Sequence, residues 1–500
     1  MSAGIVSEVV LVGRDAPVWL AACVLQQALA PAGVKMTVVE LPSRLHAADA
    51  YATLPALEPL HTRLKIDESK LIGVTRGAFT LGKRFVDTSG SSPAFFHAYG
   101  SHGARIAHKE FLPCWLRARK LGLDVALENF CLTAAAAKQG RMLVPDPEIE
   151  AHGFTDYAYH LPAIAYSALL KFIALKRGVA VHQARDARAV LHANGAIAGV
   201  ALDGDRRVEG DFFLDVTGEE GQLLSSLAVQ RESWRDRFVA DRALVAYGAA
   251  IHPVPVYSEV RAWADGWVAL YPTQMCTHIY GAYSSASLGD EGALQAASRI
   301  SRMALNGGVV RACEPGRRAV AWERNCVALG AAACVFDPVH SVDLQAVQVG
   351  LVHLLHLFPV QADYEVERIE YNQNIRSAFE RIRDFQSAHY ALNRFGNSSF
   401  WTRAREPLVS PALQHKIETF RARGDIAAYE DETFTVDDWQ ALLIGHGALP
   451  ESYDPAVERT SPEIMTRELG RVLSFIKAKV EEQPSHSDYL QTVCAPTNRS

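Results

Sequence analysis

From residue 7 onward the chain places short apolar runs between longer amphipathic stretches, the pattern of strands and helices taken in turn. Ser7-Glu8-Val9-Val10-Leu11-Val12-Gly13 is an apolar run closed by a glycine and predicts a buried strand. Residues 17–32 then follow helical spacing and 35–40 predict a second strand, so the chain opens as β-α-β. Residues 207–215 predict a strand that arrives at a turn at Thr217-Gly218, and 325–330 predict another. Over 341–358, Leu344, Val347, Leu351, Leu354, Leu355 and Phe358 recur at helical spacing, with Pro359 as the stop. The strands of one parallel sheet are thus separated by long insertions. This order predicts an α/β fold with a Rossmann-like lobe (residues 1–50, 165–220 and 315–360) and a discontinuous, largely helical lobe (51–164, 221–314 and 361–500). The last hundred residues are helical in pattern, apart from a joint rich in Pro, Ser and Asp at 450–462 and a polar tail after 483.

Composition narrows the partners. The 500 residues carry 50 basic and 56 acidic side chains, a net charge of −6, with no basic run to follow a phosphate backbone, so nucleic acid is excluded as a partner. The eight cysteines are scattered without a C-x-x-C pair and read as buried thiols in a reducing cytosol. His353 and His356 lack a third ligand at suitable spacing, so no metal site is expected. With no signal-peptide pattern at the start and no apolar run of spanning length, the chain is expected to be cytoplasmic, without membrane contact.

A dinucleotide loop needs glycines for its tight turn and for close approach of the backbone to a diphosphate. The loop here is Gly13-Arg14-Asp15-Ala16-Pro17-Val18, in which only the first glycine remains. Asp15 is expected to set a carboxylate where a diphosphate should lie, and Pro17 removes a backbone donor. Glu40, at the end of the second strand, is either a ribose acceptor or an exposed strand-end acid.

Several further segments fall in one order along the chain. They are Arg76 to Asp87 around Gly77-Ala78-Phe79-Thr80, Phe95-Phe96-His97-Ala98-Tyr99-Gly100, Asp211 to Gly218, and Trp322 to Gly330. Val335-Phe336-Asp337-Pro338-Val339-His340-Ser341-Val342, Arg381 to Tyr390, Phe400-Trp401, Gly445 to Pro450 and Asp488-Tyr489-Leu490 complete the series. Together they resemble the flavin-dependent tryptophan halogenases over residues 7–493. The resemblance implies an FAD-binding lobe of the flavin monooxygenase and halogenase type, with cofactor contacts at Gly13, Arg14, Asp15, Ala16, Glu40, Asp215, Gly218, Phe336, Pro338 and Leu344. It implies substrate contacts at His97, Tyr99 and Ser341, and a halide position at Val342 and Asp343. In that family reduced flavin and oxygen convert chloride to a hypohalous acid. A lysine captures or polarises this oxidant, and a glutamate stabilises the cationic ring intermediate.

This sequence departs from that chemistry at both catalytic positions. Thr80 stands where the family has its lysine and His340 where it has its glutamate. If 78–85 were one strand, Lys83 would face opposite to Thr80 and Arg84 would share its face. Asp343 stands where the family has a glycine beside the halide, Tyr51 replaces a glutamate of the flavin strap, and Tyr271 replaces the second indole of a tryptophan-rich segment. Two functions follow. One is a degenerate member that does not halogenate and binds a small aromatic ligand or a partner, including a second copy of the chain. The other is an active enzyme on an indole or other aromatic, fed with reduced FAD by a separate reductase. Thr80 and His340 also have plain readings, as a strand residue and as a residue preceding a helix cap at Ser341.

Overall fold

The computed structural model describes residues 6–144, 146–150, 153–204, 206–359, 364–406 and 409–495. The chain divides into two compact units: Met1–Thr75, Leu161–Asp236 and Cys313–Arg383 form the first, and Arg76–His160, Arg237–Ala312 and Asp384–Ser500 the second. Of the polar tail expected after 483, residues 486–494 form a helix and 496–500 lie outside the described residues.

The first unit is built on a six-stranded sheet ordered Trp322–Glu323, Cys326–Ala328, Phe212–Val216, Glu8–Gly13, Lys35–Glu40 and Ala180–Gln183. All its pairings are parallel except that of the first two strands. Its central strand buries Val9, Val10, Leu11 and Val12, as a strand covered on both faces must. Gly13 ends that strand for a steric reason: a Cβ there would lie 2.5 Å from the carbonyl oxygen of Val216. The helix Asp15–Leu29 packs behind this strand and starts earlier than the sequence pattern suggests. The strand expected over 207–215 is two strands. Arg207–Glu209 belongs to a small antiparallel sheet and Phe212–Val216 to the central one. The chain is pinned between them where the Asp211 carboxylate accepts from the backbone N–H groups of Ser7 and Glu8.

The second unit has, beside its helices, a seven-stranded sheet that the helical expectation omits. Its order is Asn306–Ala312, Arg242–Ala249, Cys276–Tyr283, Gly266–Pro272, Ser258–Trp263, Gly82–Asp87 and Phe95–Ala98. Leu244, Val268, Leu270 and Ile279 on one face pack against Ala293 and Ala297 of the helix Asp290–Ser301. The expected strand over 78–85 breaks at Leu81. Ala78–Thr80 pairs with 158–160, whereas Gly82–Asp87 joins the large sheet. Gly82 makes the break possible at φ 148°, since a Cβ would meet the carbonyl oxygen of His97 at 2.3 Å.

Candidate functional site

In the first unit the carboxyl ends of three adjacent parallel strands meet, with Gly13 opposite Glu40 on one side and Val216 on the other. This is where open α/β sheets bind ligands. Asp15 takes φ 62°, the left-handed conformation that a glycine adopts without strain, so the turn survives with a side chain in it. Its carboxylate is not left facing an anion: Oδ2 accepts from the backbone N–H of Arg44 at 3.3 Å. Ala16 and Val18 are buried, Val18 at the position of the third glycine of such a loop. Glu40 is held by Lys171 at 2.6 Å and by Gln183 at 3.2 Å, which makes it an ion-paired strand-end acid.

Asp215 is fully buried and accepts from Thr217 N at 3.1 Å, Thr217 Oγ1 at 2.7 Å, Leu223 N at 2.8 Å and Leu224 N at 2.9 Å. Its carboxylate therefore holds the turn that contains Gly218, at φ 95°, rather than reaching outward. Burial raises its pKa against the pull of those four donors.

Residues 336–344 lie in the same unit. Phe336 packs against Trp234 and Phe379, and Pro338 opens a short 3-10 turn that ends at His340. His340 is fully buried. The expected helix cap at Ser341 is displaced: Ser341 sits at φ 52° after that turn, and the helix begins at Asp343 with Val342 as its N-cap. Asp343 thus occupies a first helical turn, where the helix dipole favours a negative charge. Burial, with the Asp49 carboxylate as a further contributor, raises its pKa, and Leu344 beside it is buried. Asp15, Asp49 and Asp343 also act on Tyr51, whose hydroxyl is pushed well above its usual range chiefly by burial. A halide in such surroundings would meet negative charge.

In the second unit Thr80 is buried and its Oγ1 donates to the carbonyl oxygen of Gly82 at 3.1 Å. The break after it changes the facing of the residues that follow. Arg84 is exposed and pairs with Glu259 at 3.0 Å, so it does not share a buried face with Thr80. Lys83 is the buried one. It lies opposite Ser258 and His97 in the sheet, with Nζ 5.4 Å from the centre of the Tyr271 ring. His160 joins this polar cluster through Ser258 Oγ at 3.0 Å and the Pro272 carbonyl at 2.9 Å. Burial lowers Lys83 to about 7 and His160 to about 3. His97 Nε2 bonds Asp438 Oδ1 at 2.7 Å, and Asp438 caps the helix Val436–Gly445; Tyr99 is buried nearby. Among the described residues no cluster of three or more His, Cys, Asp or Glu is arranged to hold a metal ion. No helix among them is long and apolar enough to cross a membrane.

The sequence profile described as tryptophan halogenase matches residues 8–462. The chain belongs to the tryptophan halogenase family. A relative in that family, the tryptophan 7-halogenase KtzQ of Kutzneria sp. (strain 744), is 24% identical over 524 residues, covering 95% of this chain and 96% of its own. The flavin-dependent halogenase BrvH from Brevundimonas sp. BAL3 superimposes with a TM-score of 0.91 at 30% identity, over 98% of this chain and 99% of its own. A flavin-dependent halogenase from Xanthomonas campestris gives 0.92 at 28%, with the same coverage. The tryptophan halogenase plan is therefore kept over nearly the whole chain. The sequence reading did not single out Lys83 as buried or Arg44 as a neighbour of the loop. The signal for Lys83 was Gly82, a strand breaker beside it; Arg44 carried none, since it lies in a loop of irregular backbone.

Proposed function

We propose that this chain is a flavin-binding member of the tryptophan halogenase family that does not halogenate and that holds a small aromatic molecule. The observation that carries the reading is Thr80: a buried hydroxyl bonded to a backbone carbonyl stands where the family chemistry needs an amine. A hydroxyl neither carries the charge that polarises a hypohalous acid nor offers a nitrogen for a haloamine. His340 supports the same conclusion, because an imidazole carries no negative charge to stabilise the ring cation that a carboxylate stabilises. The strand-end loop suits an anionic dinucleotide through the positive φ of Asp15 and the enclosed Nε of Arg14, whereas the acidic surroundings of Asp343 do not suit a halide. When bound, reduced flavin supplies the electrons that activate oxygen. The matched segment Phe95 to Gly100 supports an aromatic ligand on the second unit.

Lys83 favours a second reading, that of an active halogenase with a substitute amine. In that case the neutral amine would attack the halogen of a hypohalous acid. The N–X bond forms as the O–X bond breaks, and the amine proton leaves with the hydroxide as water.

One experiment separates them: purified protein with FAD, a flavin reductase, NADH, tryptophan and bromide, with flavin uptake read by absorbance and products by mass. We expect flavin uptake and no halotryptophan, and no gain in the T80K/H340E double variant, because Asp343 remains. Halotryptophan from the unaltered chain that disappears in K83M would establish the second reading. Halogenation that survives K83M would overturn both.

A further inference from the structure

The three strand ends at Gly13, Glu40 and Val216 lead into loops that carry Arg14, Arg44 and Glu220. Arg14 is nine-tenths buried, and its Nε is enclosed without a hydrogen-bond partner. Its charged neighbours are Arg44, Glu220, Asp15 and Asp215, which locates the guanidinium at the strand ends and not in the core behind them. Arg44 is anchored by its backbone bond to Asp15, and its guanidinium reaches Glu220 at 2.5 Å. The 15-residue helix that starts at Asp15 has Arg14 as its N-cap and no side-chain cap bond, so its first N–H groups are left to another acceptor. Two guanidiniums lie beside a positive helix end, while the Asp15 and Asp215 carboxylates are engaged by backbone donors and Glu220 is turned to Arg44, an arrangement that an anion stabilises.

We propose that Arg14 and Arg44 form a two-guanidinium site for the diphosphate of a dinucleotide, replacing by side-chain charge the backbone approach that the missing glycines would have allowed. The site deepens the flavin-binding reading and rests on it for the identity of the dinucleotide. The family loop lets the backbone approach the phosphates, whereas here planar forks do the gripping. Affinity therefore depends on salt more steeply than backbone contacts would make it. Burial, compounded by the like charge of Arg44, lowers the proton affinity of Arg14, and a bound diphosphate offsets both.

The test is calorimetric titration of FAD, ADP, sodium pyrophosphate and riboflavin into the full chain and into the R14M, R44M and E220Q variants, with Tm of each free protein by circular dichroism. We expect R14M to weaken FAD and ADP by about tenfold or more and to leave riboflavin unchanged, R44M to act in the same direction, and E220Q to strengthen ADP. The Tm of free R14M should be unchanged or higher, because the variant removes an enclosed donor that nothing satisfies; a fall in Tm with unchanged ADP affinity would make Arg14 a structural residue and overturn the site. Should R14M not fold, R44M alone decides by the same criterion. Binding of ADP and pyrophosphate without FAD would keep the site and reject the flavin reading. Binding of FAD that neither arginine variant weakens would keep the flavin reading and reject the site. Failure of ADP, pyrophosphate and FAD alike to bind would reject both.

Discussion

Replacing Lys83 with methionine should make the protein more stable at pH 7. An amine with its pKa lowered from 10.5 to about 7 by burial is one whose charged form the folded protein disfavours. The unfolded chain binds the proton at every pH below about 10.5, and the folded chain binds it only below about 7. Between those values unfolding takes up a proton, so the contribution of Lys83 to stability rises with pH; below about 7 its penalty is complete. The span corresponds to on the order of 4 kcal/mol. Methionine has a similar length and no charge, so K83M should raise Tm at pH 7 by roughly 5 °C. The difference from the unaltered chain should shrink toward pH 10. Thermal unfolding of both proteins at a series of pH values checks this, and taking the difference between them cancels the other groups that titrate in the range. Equal Tm values at pH 7 with parallel pH profiles would show that Lys83 is an ordinary charged lysine and would remove the support for the second reading. The expected gain has a wider meaning. A residue whose removal stabilises the fold is retained for something other than the fold.

The parts of this molecule that were legible in the sequence are those where pattern and covalent constraint agree. Val9 to Gly13, with its apolar run and closing glycine, gave its strand correctly because burial on both faces demands such a run and close packing against Val216 demands the glycine. The helix with Leu344, Val347 and Leu351 was legible from its period, although its start moved to Asp343 because Ser341 adopts a left-handed conformation that no local pattern specifies. The site residues were less legible, since their roles depend on tertiary partners. Glu40 read equally well as a ribose acceptor or a surface acid, and its ion-pair partner Lys171, 131 residues away, carried no signal in the local pattern. Asp15 read as a repulsive carboxylate because Arg44, whose N–H it accepts, lies in a loop without periodicity. The facing inferred for Lys83 and Arg84 loses its basis for a simpler reason: period-two alternation was carried through Gly82, where the chain leaves one sheet for another.

Asp215 is the position where a single substitution should cost the first unit most. Removing its side chain strands four donors in a site with no solvent access: two helix-start N–H groups, the Thr217 N–H and the Thr217 hydroxyl. Unsatisfied buried donors cost about 1–3 kcal/mol each before relaxation, so D215A should lose on the order of 4 kcal/mol. Because burial raises the Asp215 pKa even with four donors in place, the useful property of the residue is its accepting oxygens and not its charge. D215N keeps the volume and one accepting oxygen and should lose less than D215A. Urea unfolding followed by tryptophan fluorescence measures the difference, with Trp322 and Trp234 reporting from the same unit. A D215A midpoint close to that of the unaltered chain would mean that the Thr217 turn is satisfied by water once the carboxylate is gone. The consequence for ligand binding follows from where the turn leads. The residues between Thr217 and Leu223 include Glu220, the partner of Arg44, so D215A should weaken ADP along with the fold. K83M, which alters no residue of the strand-end loops, should bind ADP as the unaltered chain does.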